Sequence, residues 1–384
     1  MANKNSKLIQ NTTVLKGEEL EIAKNIDVLV VGDTIKAIEK NINSQDCEII
    51  DGRQFLLCPS FTNAHLHLDD STILDTGVGQ TLEELVFPEG TRDKITSVSK
   101  AETQKAIKSS VSQIIRSGTG LICSFCENGI EGVNLVKECL PPELKSVLVG
   151  RFKSKFPYEA KVTDLLNSAD GFAPGFIRDI PIEDLQNLSN EVISANGFIA
   201  MHSLESKGLP AENFYKTVDY LHPQFLVHLV QATSKETEYL RNKNIGVVCC
   251  PRGNSLTGVG FPPILGLLNQ DTLVALGTDN IFLNSPDMFK EMEFTSRLLR
   301  GYSQNPSVIS SREVLKMATI NGAKLLGLGE RYGSIEPNKK ANLIFFSLNS
   351  NNFSSSADYL STIVHRANSM DIAGISLGGH LTFF

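Results

Sequence analysis

Short, almost wholly apolar runs recur along the chain between residues 55 and 280, and longer amphipathic segments separate them. The runs are Leu56–His67, Gly120–Glu127, Lys145–Phe152, Ala169–Ile177, Gly197–Ser203, Gln224–Gln231, Ile245–Pro251 and Leu273–Asp279. Near-continuous Val, Ile, Leu, Phe, Cys and Ala is the pattern of parallel strands covered on both faces. The intervening segments change period. Ser99 to Gly118 carries Ile107, Val111, Ile114 and Ile115 on one helical face, with Gly118 placed to end the helix. Pro181 to Gly197 opens with proline in its first turn and has Leu185, Leu188 and Val192 as its apolar stripe. Ser234 to Asn244, Ser285 to Gly301 and Ser310 to Gly327 read the same way. Eight strands alternating with helices predict an α/β chain built as a (β/α)8 TIM-type barrel.

The ends follow a different rule. Residues 7 to 54 hold short alternating runs, with a hairpin signal at Gly32-Asp33 between Val28–Val31 and Ile35–Ile38. After residue 333, Ala341–Ser347 and Ile372–Leu377 are strand-like again, and an Asn/Ser stretch separates them. The expected division is 1–56 and 333–384 as the two parts of one small β-sandwich domain, with 57–332 as the barrel between them.

Composition narrows the role. The formal net charge of −7 over 384 residues offers no basic face for nucleic acid. No run is long enough to span a bilayer, and the first residues are polar rather than a secretory leader. Seven cysteines, an odd number, fit buried thiols in a reducing cytoplasm better than a disulfide framework. Cys123-x-x-Cys126 has metal spacing, but no second pair accompanies it, and strand packing is the better reading.

The chemistry gathers at the ends of the runs. His65 and His67 close the first, at i and i+2, so both rings leave a strand on the same side. His202 closes the fifth run with Glu205 just beyond it, His228 the sixth and Asp279 the eighth. In a barrel, strand C-termini share one mouth, which is where such enzymes place their catalytic groups. Any one of these residues has an ordinary explanation: a lone histidine is usually structural, and Asp279 could cap the helix predicted after Ser285. Imidazoles and carboxylates gathered at one end of a barrel instead suit a borderline cation, Zn²⁺ or alternatively Fe²⁺, with a position left for water. His222, His365 and His380 lie outside the pattern.

Pro-x-Phe-x-Asn-x-His-x-His from Pro59 to His67, the later His202 and His228, and Gly277-Thr278-Asp279 resemble the amidohydrolase superfamily. Within it the chain is similar to the cytosine, guanine and modified-adenosine deaminases and the related chlorohydrolases. Gly333-Ser334-Ile335-Glu336-Pro337 resembles that family's return to its small β-domain, although Ser60 and the run Asn338 to Asn342 depart from the usual pattern. The resemblance implies His65, His67, His202 and Asp279 as metal ligands. It implies His228 as a partner of the attacking water, with or without metal contact, and Glu205 as a proton shuttle to a ring nitrogen. Asp279 would also move a proton. Binuclear relatives carry a lysine on the fourth strand, and no lysine occurs from Asp164 to Ser206, so one divalent ion per chain is expected.

The expected activity is hydrolytic deamination of an aminated purine, pyrimidine or nucleoside-like ring. Cyclic-amide hydrolysis and heteroaromatic dechlorination are the alternatives, and a non-catalytic scaffold barrel is a third. Arg151, Arg252 and Asn254, on loops after the third and seventh runs, are candidate substrate contacts, as are Lys153 and the rings of Phe87, Phe152 and Phe176. The expected setting is a cytoplasmic enzyme acting on a small heterocycle, with homo-oligomerisation open.

Overall fold

The computed structural model describes residues 6–43, 47–86, 90–95, 98–153, 156–175, 180–207 and 211–384. Two sheets organise them. The larger is parallel throughout: β6 (Phe61–His67), β7 (Thr119–Cys126), β8 (Lys145–Gly150), β9 (Gly171–Phe172), β10 (Phe198–Ser203), β11 (Phe225–His228), β12 (Gly246–Cys249), β13 (Val274–Leu276) and β14 (Asp279–Asn280). Every one of the eight apolar runs contributes to it. The eighth contributes twice, since Leu276 of β13 pairs with Cys249 while Asp279 of β14 pairs with Leu66. The sheet therefore curls until its last run meets its first.

Side chains secure that meeting. Asn63 Nδ2 donates to Thr278 Oγ1 at 2.7 Å, and the Thr278 backbone N–H donates to Asn63 Oδ1 at 3.1 Å. Gly277 permits it, because a Cβ there would stand 2.8 Å from the His65 backbone. Leu121, Cys123, Phe125, Val149, Val227 and Val248 fill the interior, and Ala323 and Leu325 of the helix Ile320–Leu325 pack against them. The alternate residues Ile122, Cys126, Leu148, Leu226 and Val247 face the surrounding helices.

The second sheet joins both ends of the chain. Its order is β17 (His380–Phe383), β16 (Ile372–Leu377), β15 (Leu343–Ser347), β5 (Phe55–Pro59), β1 (Ser6–Lys16), β2 (Glu21–Val31) and β3 (Thr34–Glu39), with β4 (Glu48–Asp51) also on β1. The Gly32-Asp33 turn is present: Val31 pairs with Thr34, and Gly32 takes φ +62°. Val14, Val28, Val30, Ile35, Leu57, Leu343 and Phe345 form its core.

The elements differ from the sequence expectation in four places. The run Leu56–His67 is two strands, because β5 pairs with β15 and only β6 belongs to the large sheet. Both halves are buried on two faces, so hydrophobicity does not register the change of sheet at Ser60. Ala169–Ile177 yields only the two-residue β9. Ser310 to Gly327 is two helices, Ser311–Met317 and Ile320–Leu325. The helix expected from Ser285 starts at Met288, and Asp287 caps it by accepting from the Phe289 N–H at 3.0 Å. Asp279 is thus not a helix cap.

Candidate metal centre and active site

The strand ends converge. His65, His202 and His228 form one group whose ligating atoms all lie within 4.8 Å of one another; His65, His67 and Asp279 form a second, and Glu205, His228 and Asp279 a third. Ring centroids stand 4.9 Å apart for His65–His67, 5.0 Å for His65–His202 and 5.3 Å for His202–His228. Asp279 Oδ1 is 3.2 Å from His65 Nε2 and 3.6 Å from His67 Nε2. Glu205 Oε2 lies 3.6 Å from His228 Nε2.

Local backbone irregularity aims these groups. The β6–β7 register shifts between Asn63 and Leu66. Ala64 accordingly faces the interior while Leu66, two residues on, faces the helices. A bulge of this kind turns both histidines toward the mouth, which a regular strand continuing from Ala64 would not do. Leu204, His228, Leu229 and Asp279 all adopt positive φ, between +48° and +75°. Non-glycine residues are held in that region only where the surrounding structure enforces it, and such positions cluster at functional sites.

Burial sets the charges. His67 and His202 are held well below the ordinary imidazole range, first by desolvation and then by the crowding of the other rings and of Arg92 and Arg151, and His228 is pushed down to about 4 mainly by desolvation. Neutral imidazoles have the lone pairs that a metal requires. Burial also raises Glu205 well above the carboxylate range, and Asp279 raises it further. Burial acts on Asp279 in the same direction, but its hydrogen bond with His65 and its closeness to His228, His65 and Arg92 leave it lowered. The two neighbouring carboxyls are thus shifted in opposite directions. Such a divided pair can both give and take a proton.

Further groups at the site were not anticipated. Glu127 follows the second strand, a position that the strand-end rule alone would have flagged. Its Oε1 lies 3.1 Å from Arg92 Nη2, 3.6 Å from Arg151 Nη1 and 3.9 Å from His67 Nδ1. Arg92 Nη2 also reaches His67 Nδ1 at 2.9 Å and Asp70 at 3.3 Å. Asp70 accepts from Asn280 at 2.6 Å, which braces the residue beside Asp279. Asp69 is pushed up to about 8 by burial and by Asp70 and Glu127. Arg92 sits on a short helix, Thr91–Ile95, 25 residues beyond His67, and no periodicity marks it.

The candidate substrate contacts separate. Arg151 borders the cluster through Glu127. Arg252 turns away from it: its backbone N–H donates to Glu291 at 3.1 Å, and its guanidinium reaches Glu291, Ser285 and the Asp287 carbonyl. Asn254 is fully buried against His228. Lys153 is exposed, and Phe152 is buried against Tyr158 and Phe172 with no face for a ligand. Phe87 and Phe176 lie outside the described residues. Cys123 and Cys126 are buried free thiols.

Two predictions arise here. His222 is exposed and outside the cluster, so His222→Ala should keep the parent's metal content and turnover in side-by-side assays. Glu291 is fully buried, and desolvation, opposed by Arg252, raises it to about 7 from an ordinary 4.5. An acid with a raised folded pKa binds more protons folded than unfolded across that window. Its contribution to stability is present below the unfolded pKa and is lost as pH rises toward 7. Glu291→Gln should therefore gain thermal stability relative to the parent between pH 5 and pH 8, by a few degrees in Tm. A difference in Tm that does not change with pH would contradict this.

Residues 56–382 match the profile described as Amidohydrolase family. The chain is 31% identical to the "Putative aminohydrolase" of Methanothermobacter thermautotrophicus, over 98% of this chain and 99% of the relative. It is 26% identical to a 5-methylthioadenosine/S-adenosylhomocysteine deaminase of Thermoanaerobacter pseudethanolicus, over 97% and 93% of the two chains. Among solved structures, an adenosine deaminase from Xanthomonas campestris with bound zinc superposes with a TM-score of 0.88 at 18% identity, covering 100% of this chain and 94% of that one. That likeness is one of fold. From the profile match and the full-length relatives together, the chain belongs to the amidohydrolase family, as a hydrolase of carbon–nitrogen bonds other than peptide bonds.

Proposed function

We propose that the protein is a hydrolytic deaminase of an aminated purine, pyrimidine or nucleoside-like ring, most closely an adenine nucleoside derivative, and that it works with one zinc ion per chain. The observation that carries this is the divided carboxyl pair. Glu205 and Asp279 bring oxygens within 4.8 Å of each other and of a His228 nitrogen, and their surroundings shift the two carboxyls in opposite directions. The relatives named as deaminases support the same reading.

The donor set suits zinc. His65, His67, His202 and Asp279 would hold it, since three neutral imidazoles and one carboxylate are its ordinary protein ligands. His65 Nδ1 is buried without a hydrogen-bond partner and its Nε2 meets Asp279 Oδ1 at 3.2 Å, so the ring's polar contact is the one that a cation between His65 and Asp279 would replace. Bound there, the ion would lower the pKa of a water toward neutrality. The protein's own groups handle the protons. Glu205 delivers one to the ring nitrogen beside the carbon under attack, which makes that carbon more electrophilic. Asp279 takes one from the attacking water and returns it to the amino group, which leaves as ammonia; the ring keeps the oxygen as a carbonyl, and that oxygen's remaining proton goes back to Glu205. Arg151 is retained as a substrate contact at the mouth.

We also read the curled sheet as a closed (β/α)8 barrel, with β13 and β14 as one interrupted strand. The isolated Thr34–Lys340 bridge ties β3, at one margin of the terminal sheet, to the segment that leads into β15 near its middle, which supports a small β-sandwich made of residues 1–56 and 333–384 around a barrel of 57–332, its first strand starting after Ser60. Seven free, buried cysteines support a cytoplasmic setting. No described helix is long and apolar enough to cross a membrane.

The test is ammonia release by the zinc-loaded protein from adenosine, 5′-methylthioadenosine, S-adenosylhomocysteine, guanine and cytosine, with chloride release from a chlorotriazine and ring opening of a cyclic imide in parallel. Ammonia from one aminated ring is the expected result. Chloride or ring-opened product without ammonia would overturn the deaminase reading.

A further inference from the structure

Metal-binding imidazoles are ordinarily oriented by a hydrogen bond from their second nitrogen to a carboxylate or carbonyl. They need such a brace, because the terminal torsion of a histidine side chain has no sharp preference of its own. His65 lacks it. Its Nδ1 is buried without a partner, and its polar contact is the one between Nε2 and Asp279. What meets the ring instead is Phe125, fully buried one residue before the end of β7. The two ring centroids stand 4.5 Å apart, with their planes at 79°. The same phenyl ring lies 5.2 Å from His202 at 67° and 6.0 Å from His67 at 52°. One side chain thus packs against every imidazole of the proposed ligand set. Phe225 of β11 stands beside Phe125 at 6.4 Å and pairs next with Phe198; among the described residues it meets no histidine ring.

We propose that Phe125 is a positioning residue whose ring, in place of a hydrogen bond, sets the orientation of His65 and with it His202 and His67, so that the ligand set stands formed before a cation enters. Edge-to-face packing is a favoured arrangement of aromatic rings. In a close-packed interior a ring so held cannot turn without moving its neighbours. Without the phenyl ring, His65 gains a freedom that no hydrogen bond restrains, and binding a cation must then order the rings as well. This role rests on the one-ion reading above.

The test compares full-length parent, Phe125→Leu and Phe225→Leu. Each is chelated, then titrated with zinc against a competing chelator and with Co²⁺ while the visible spectrum is recorded. Both variants remove a phenyl ring from the same interior, so general loosening of the core acts on both. Phe125→Leu is expected to lose about 10-fold or more in zinc affinity, the scale for an outer partner of a metal ligand. It should also change the d–d bands of bound cobalt, while Phe225→Leu keeps the parent's affinity and bands. Parent-like affinity and bands in Phe125→Leu, or equal losses in the two variants, would overturn the proposal. Crystals of the chelated and zinc-loaded parent decide it even where a variant does not fold. His65, His67 and His202 should hold the same rotamers in both, and rings that reorient when zinc enters would overturn it. A parent that binds neither ion would overturn the one-ion reading, and this role falls with it; a parent that binds while Phe125→Leu binds equally well overturns the role alone.

Discussion

Glu205→Gln is expected to bind zinc as the parent does and to lose about 10²–10⁴ in turnover, the range for removing one positioned proton donor. Gln matches Glu in size, so the packing beyond β10 and the contact near His228 Nε2 survive. What disappears is a titratable oxygen. Burial and Asp279 push the Glu205 carboxyl well above the ordinary carboxylate range, which favours its proton-bearing form, and an amide can offer a hydrogen bond there but cannot release the proton. Metal content by elemental analysis and turnover on one substrate, measured on the same preparation, check both halves. Parent-like turnover would remove Glu205 from the mechanism, and lost metal would make it a ligand rather than a shuttle.

Asp279→Ala should be the more damaging change, because two functions meet in one side chain. Its Oδ1 lies within 3.6 Å of both His65 and His67, so it would supply the negative charge of the proposed, otherwise neutral ligand set. Altering even an outer partner of a metal ligand costs about 10–100-fold in affinity. Removing this carboxylate should cost at least about 100-fold in zinc affinity, and excess zinc should not restore turnover, because the proton acceptor is gone as well. Competition with a chelator of known affinity gives the first value and zinc-saturated assays the second. Full recovery of turnover at high zinc would confine Asp279 to metal binding.

Much of this was legible in the residues, for identifiable reasons. Parallel strands inside a ring of helices must be apolar on both faces, so each of the eight runs announced itself. Helix ends carried their own chemistry: Ser99 caps Lys100–Arg116, Gly118 follows it at φ +89°, and Thr233 with Glu236 forms a capping box on Ser234–Lys243. Strand-end histidines and Asp279 were visible because strand C-termini share one mouth. The missed features depend on three dimensions. Two consecutive apolar strands in different sheets read as one, as at Ser60. The bulge beyond Asn63 leaves the composition unchanged while reversing which residues face inward. Arg252 looked available because its partner, Glu291, lies 39 residues away on another helix. Arg92 reaches His67 from a segment with no pattern of its own, and Asn254, legible only as a loop residue, is buried against His228.

One metal ion, held by His65 and His67 of β6, His202 of β10 and Asp279 of β14, would make this chain a deaminase. This is tested most directly by titrating zinc into chelated protein while following ammonia release from the best substrate of the panel. Turnover rising linearly and breaking at one zinc per chain is the predicted result. Full turnover in the chelated protein, or a break at two, would contradict it.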